Sequence, residues 1–169
     1  MAAIDGGFYL FLAGVILREI LHSKNRNLPV AFAIGLFGIA DLLDYAGSSG
    51  LIGYDIGYRA GIALAVTLVS LIGGRIIPSF TRNWMQRESL SGHLPSQPTR
   101  FDMAVVLATA AALAAWMIAG PIAPVGAALV VAGAVQTARL ARWRGWRTLA
   151  SPIVLVLHLG YVWVPLGLL

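Results

Sequence analysis

The 169 residues of this chain include no cysteine. The absence excludes disulfide bonds and any zinc, iron–sulfur or haem site that takes a cysteine ligand from this chain. Histidine is also scarce, at three residues, and Asp and Glu together number seven. No nucleophile with a neighbouring base, no phosphate-binding loop and no converging pair of acids can be recognised. Enzymatic activity is left open but is not favoured.

Charged residues make up 11% of the chain, less than half of their share in soluble proteins. Hydrophobic residues reach 59%, and the mean hydropathy is +0.81. These values indicate an integral membrane protein, with the lipid bilayer as its surroundings. The net charge of +5 does not indicate nucleic-acid binding, because the basic residues lie between apolar runs and form no stripe with aromatic residues.

Six stretches are long enough to cross the hydrocarbon core, which takes about 20 helical residues. They are 3–21, 28–46, 57–72, 101–119, 122–140 and 151–169. We therefore predict an all-α transmembrane bundle of about six helices, forming one membrane domain over 1–169. Two three-helix groups are joined by a cytoplasmic loop at 73–100. Thr99 with Asp102 is typical of a capping box, and Ser151-Pro152 of a helix start.

The basic residues alternate between loops in a way that predicts orientation. Three connections with their flanks hold all of them except Arg59: Arg18, Lys24 and Arg26 in the first; Arg75, Arg82, Arg87 and Arg100 in the third; Arg139, Arg142, Arg144 and Arg147 in the fifth. Since positive loops stay inside, we expect these connections to be cytoplasmic and both termini to lie outside.

Three candidates for a functional role within the predicted spans, Asp41, Asp44 and His158, carry ionisable groups that are costly in a membrane. Asp41 lies about 20 Å along its helix from Leu28 at 1.5 Å per residue, and Asp44 lies on the same face nearer the outer surface. Their carboxylates either turn toward water, form part of a proton path or pair with a cation on another helix. His158 either hydrogen-bonds across helices or ligates haem or copper through a neutral nitrogen.

The stretch from Gly73 to Met85 combines two glycines with Pro78, so we expect irregular or re-entrant backbone there. Two interpretations of its basic residues, Arg75 and Arg82, are possible. They set the orientation of the chain in the membrane, or they bind an anion. That anion would be a lipid phosphate, an anionic substrate or a haem propionate, since guanidinium groups suit all three.

Residues 74–83 read GRIIPSFTRN and resemble the G-R-x-I-P-x-F-T-R-N signature of NnrS proteins. Residues 157–163, LHLGYVW, resemble the L-H-L-G-Y-x-W segment of the same family. The resemblance covers the whole chain. Its matching positions are Gly74, Arg75, Pro78, Thr81, Arg82, Asn83, His158, Gly160 and Tyr161.

The resemblance implies a bacterial inner-membrane protein that takes part in nitric oxide metabolism, denitrification or nitrosative stress and binds haem and copper in its intact form. Among the matching positions we predict His158 as the metal ligand and Arg75, Arg82 and Asn83 as cofactor-binding residues, with Arg75 or Arg82 near a haem propionate. The family's H-x-H-E-M and H-T-G-R-P-L segments are missing. We therefore expect a central or truncated portion that works with a second membrane chain or a second copy. The alternative function is a component of a small-anion or proton-coupled transporter or channel.

The orientation can be tested directly because the chain has no native cysteine. With both termini periplasmic, Ser48→Cys should react with a membrane-impermeant maleimide added to intact spheroplasts. Ser89→Cys, in the predicted cytoplasmic loop, should react only after permeabilisation. The opposite labelling pattern would show that the topology is inverted.

Overall fold

The computed structural model of the protein describes residues 2–22, 28–90 and 92–169. Within these residues there are six α-helices, one short 3₁₀ helix and no strand, which confirms the predicted all-α class. The α-helices are α1 (Ala2–His22), α2 (Leu28–Ser48), α3 (Ile56–Arg87), α4 (Arg100–Ala119), α5 (Ala123–Arg142) and α6 (Pro152–Leu168), and the 3₁₀ helix is Gly145–Thr148. Residues 23–27, which include Lys24 and Arg26 of the first connection, lie outside the described residues.

The chain divides into two compact units, residues 1–65 and residues 66–169. The boundary therefore lies within α3, and the C-terminal part of that helix belongs with α4, α5 and α6. In the first unit α1 packs closely on α2. Glycine permits this approach, since a Cβ atom at Gly38 would lie 2.9 Å from the Cβ of Tyr9.

In the second unit the helix starts follow their sequence signals. The backbone N–H and the hydroxyl of Thr99 both donate to Asp102 Oδ2, at 2.9 and 2.8 Å, so Asp102 caps α4 as predicted. Helix α6 begins at Pro152 after the N-cap Ser151. Gly120 ends α4 with a φ of 74°, a value that favours glycine.

Helix α3 corrects the largest error of the sequence analysis. The expected loop at 73–100 is helical as far as Arg87, and the irregular backbone expected from Gly73 to Met85 is wrong. Buried positions recur there with helical spacing, at Gly74, Ile77, Pro78, Thr81 and Met85. Packing of this stripe keeps the helix continuous although Pro78 donates no hydrogen bond.

Four of the described helices are long and apolar enough to cross a membrane: α2 from Ala31, α3, α4 and α5. Helix α6 is apolar but shorter, at 17 residues. Large apolar side chains such as Phe11, Ile118 and Ile153 are exposed over 70% or more of their surface. Such surfaces suit contact with lipid, so the fold is that of a multi-pass membrane protein.

Candidate functional site

The core of the second unit is polar and is organised around Arg139, which lies in α5 and is 2% exposed. Its Nε donates to Asp102 Oδ1 in α4 at 3.1 Å, which forms a buried ion pair. Its Nη1 donates to the Ser70 carbonyl at 2.9 Å and to the Tyr161 hydroxyl at 3.2 Å. Arg139 therefore joins α3, α4, α5 and α6.

Gln136, one turn before Arg139 in α5, completes the hydrogen bonding. Its Nε2 donates to Ser70 Oγ at 2.6 Å and to Thr109 Oγ1 at 2.9 Å. Its Oε1 accepts from the Tyr161 hydroxyl at 2.9 Å. Both amide protons and the amide oxygen thus have partners, as a buried amide requires. We call Ser70, Asp102, Thr109, Gln136, Arg139 and Tyr161 the Arg139 cluster.

An aromatic pair borders the Arg139 cluster. Trp143 is 1% exposed, and its ring packs edge-on against Tyr161 with centroids 4.7 Å apart. The Arg139 guanidinium lies 5.3 Å from the Trp143 ring centroid, within range of a cation–π interaction. The charge is therefore surrounded by hydrogen-bond acceptors and an aromatic face, and little of it meets apolar surface.

Two glycines of α3 make room for this arrangement. A Cβ atom at Gly74 would overlap the guanidinium of Arg139, and one at Gly73 would lie 2.8 Å from the Tyr161 ring. The sequence analysis interpreted these glycines as loosening the backbone. The structure assigns them a different role, because they lie in an intact helix and allow two large side chains to reach α3.

His158 lies in α6, and its ring is buried next to Gly145. Its Nδ1 lies 3.0 Å from the Val154 carbonyl, and its Nε2 lies 3.4 Å from Thr81 Oγ1. The hydroxyl of Thr81 donates to the Ile77 carbonyl at 2.9 Å. Residues 74–83 and 157–163, which carry the family resemblance, therefore meet at Thr81 and His158.

The environment of His158 meets one requirement of a metal ligand. Only a protonated Nδ1 can bond to the Val154 carbonyl, so in the neutral ring Nε2 carries the lone pair, as in ligating histidines. However, Nε2 faces Thr81 in a buried position. Among the described residues no three His, Cys, Asp or Glu side chains are grouped to hold a metal. A copper site built from three such side chains is therefore not assembled within the described residues.

The other predicted cofactor residues lie elsewhere on α3. Arg75 and Arg82 line a cleft with residues 95–98, and Asn83 is exposed. At 100° per residue, both arginines are about 100–120° around the helix from Thr81. The structure therefore does not bring Arg75 and Arg82 together with His158.

Asp41 belongs to the first unit, where it lines a cleft of about 250 Å³ with Asp44, Tyr9 and Tyr58. Its Oδ2 is inaccessible to solvent and has no hydrogen-bond partner among the described residues. Asp44 is exposed. Asp41 is therefore half-buried, with one carboxyl oxygen hidden from solvent and unsatisfied, whereas Asp44 at the same cleft is exposed.

The sequence analysis missed the Arg139 cluster. Arg139 was counted among loop charges, whereas it lies inside α5 and is buried, and Asp102 was given only its capping role. One feature of the sequence could have predicted the cluster: Gln136 and Arg139 lie three residues apart, on one face of a mostly apolar helix. Their partners Ser70 and Thr109 carry no such signal.

Comparison with known proteins gives one family. The family model described as NnrS protein matches residues 1–169. No curated protein and no solved structure matches the chain significantly.

The ion pair of the Arg139 cluster leads to a stability prediction. Arg139→Met leaves the Asp102 carboxylate buried without its cation, so the free energy of unfolding should fall by about 3 kcal/mol or more. Arg142→Met, at a half-buried arginine of the same helix that stacks on Phe101 and has no acidic partner among the described residues, should lower it by only about 1 kcal/mol or less. Thermal unfolding in detergent, followed by size-exclusion chromatography, measures both.

A double variant separates the lone charge from lost packing. Arg139→Met with Asp102→Leu removes both charges and should recover part of the stability lost in Arg139→Met. Recovery should be incomplete because Asp102 also caps α4. If Arg139→Met unfolds at the wild-type temperature, the ion pair does not hold these helices together.

Proposed function

The chain belongs to the NnrS family, and from this membership we propose that it acts in nitric oxide metabolism or in the response to nitrosative stress. The observation that carries the proposal is the family match over residues 1–169. The family resemblance also supports a place in the bacterial inner membrane, where the alternation of basic loops favours periplasmic termini.

The geometry of the second unit supports a role beyond a membrane anchor. The two family-like segments contact each other at Thr81 and His158, and Gly73, just before the first segment, lies next to the Tyr161 ring. Tyr161 in turn belongs to the Arg139 cluster. Hydrogen bonds of Tyr161 with Arg139 and Gln136 help to fix the position of α6, and with it the position of His158.

We propose that the intact form binds haem and copper, with His158 as the ligand that this chain contributes. The hydrogen bond from Nδ1 to the Val154 carbonyl leaves Nε2 as the ligating atom. Ligation requires Nε2 to leave Thr81, whose hydroxyl keeps its bond to the Ile77 carbonyl. Further ligands would come from a second membrane chain or a second copy.

A second candidate function, proton-coupled or small-anion transport, is favoured by Asp41. A carboxyl group that lies within a membrane helix with one oxygen unpartnered is a suitable proton acceptor. This function does not depend on a metal centre, so the two proposals can be tested separately.

Spectroscopy tests the metal proposal. The protein purified from native membranes with its associated chains should show a Soret absorption band and bound copper. His158→Ala should remove or shift the metal signal, whereas His93→Ala, at an exposed loop histidine, should preserve it. A wild-type preparation without Soret band or copper would exclude the cofactor proposal.

Cells that lack the protein should grow more slowly after addition of a nitric oxide donor.

Flux measurements test the transport proposal. Liposomes that contain the purified protein and an internal pH-sensitive dye should take up protons, and Asp41→Asn should slow this uptake by about tenfold because it removes the proton acceptor. Asp44→Asn, which changes the exposed acid of the same cleft, should leave the rate nearly unchanged. Uptake no faster than in protein-free liposomes would contradict the transport function.

A further inference from the structure

The cleft beside the C-terminal part of α3 contains two arginines that have no acidic partner in the described part of the chain. Arg75 and Arg82 are seven residues apart, so two helical turns place them on one face. Residues 95–98 lie opposite and enclose about 280 Å³. Neither arginine forms a hydrogen bond or an ion pair within residues 2–22, 28–90 and 92–169.

Ser96 supplies an independent sign that this cleft holds a ligand. Its Oγ is inaccessible to solvent and lacks a hydrogen-bond partner among the described residues. A buried hydroxyl without a partner is unfavourable, and buried polar groups in proteins are rarely left so. Ser96 lines the same cleft as the two arginines, so rotation of its side chain about χ1 would bring the hydroxyl to a ligand held there.

The chemistry of the lining selects the ligand. The polar side chains of the lining can all donate hydrogen bonds: two guanidinium groups, the hydroxyls of Ser79 and Ser96 and the Gln97 amide. No acid is among the described residues that line the cleft. A carboxylate offers two oxygens, which a single guanidinium fork already satisfies. A tetrahedral phosphate offers more oxygens and a larger charge, which suits two forks with added hydroxyls. We propose that the Arg75–Arg82 cleft binds a phosphate group.

The length of α3 places this cleft where phosphate is abundant. Its 32 residues extend about 48 Å at 1.5 Å per residue, against a hydrocarbon core of about 30 Å. The part that exceeds the core is the polar end, with Arg75, Arg82 and Arg87. The phosphate would therefore be either a phospholipid headgroup or free inorganic phosphate from the aqueous side. This inference is independent of the proposed metal binding and transport functions.

The test uses the full chain in a phosphate-free maltoside detergent with two probes. Inorganic phosphate is titrated and followed by ³¹P NMR line broadening. Phosphatidic acid is titrated and counted by native mass spectrometry, with diacylglycerol as the phosphate-free lipid. Arg75→Gln with Arg82→Gln should weaken binding of the phosphate probe by tenfold or more, since charged hydrogen bonds are lost.

A matched pair controls for net charge. Arg87→Gln with Arg100→Gln removes the same two charges from exposed positions outside the cleft and should leave affinity within about twofold of wild type. Ser96→Ala removes one hydroxyl without a charge change and should weaken binding about threefold to tenfold. Circular dichroism confirms that each variant keeps its helical content, and Ser96→Ala alone decides the test if the arginine pair misfolds.

The outcomes separate the sources of the phosphate and the competing explanations. Binding of inorganic phosphate that depends on the cleft residues supports a free anion, and binding of phosphatidic acid alone supports a headgroup. Equal losses in the two arginine pairs would show attraction to general positive charge and would overturn the proposal. Failure of the wild-type protein to bind either probe would overturn it as well.

Discussion

The ion pair between Arg139 and Asp102 is the interaction on which the second unit depends. A guanidinium group inside a membrane helix is strongly unfavourable unless it is paired and hydrogen-bonded. Arg139 meets this condition only by using partners from three other helices: Ser70 in α3, Asp102 in α4 and Tyr161 in α6. Separation of any of these helices would leave a buried polar group without a partner, so the charge fixes where all four helices lie.

Several features of the sequence follow from this requirement. Helix α3 must come close enough for its Ser70 carbonyl to reach the guanidinium, and Gly73 and Gly74 allow that approach. The same packing keeps α3 helical through Pro78, although a proline usually breaks or kinks a helix. In a soluble protein, burial of apolar surface holds the helices together. Lipid provides no hydrophobic drive between helices, so specific hydrogen bonds and the ion pair hold them together here.

The residues of functional interest are divided between two faces of α3. Thr81 faces inward to His158, next to the Arg139 cluster, and the rigid core holds that histidine in one orientation and one tautomer. Arg75 and Arg82 face the cleft at residues 95–98, and no acid is among the described residues that line it. One helix therefore carries a buried histidine contact and an open anion-binding face, and these two features call for different ligands.

The sequence by itself determined the helical class, the location in a membrane and the starts of α4 and α6. It also identified His158 as a candidate functional residue. These follow from local properties: hydropathy over about 20 residues, capping residues near a helix end, and a rare ionisable group in an apolar run. Only the tertiary structure decided that Arg139 is buried, that Gly74 makes room for it and that α3 continues past Pro78. Each of these depends on contacts between distant residues, such as Arg139 with Ser70, 69 positions apart, and hydropathy within one segment carries no information about them.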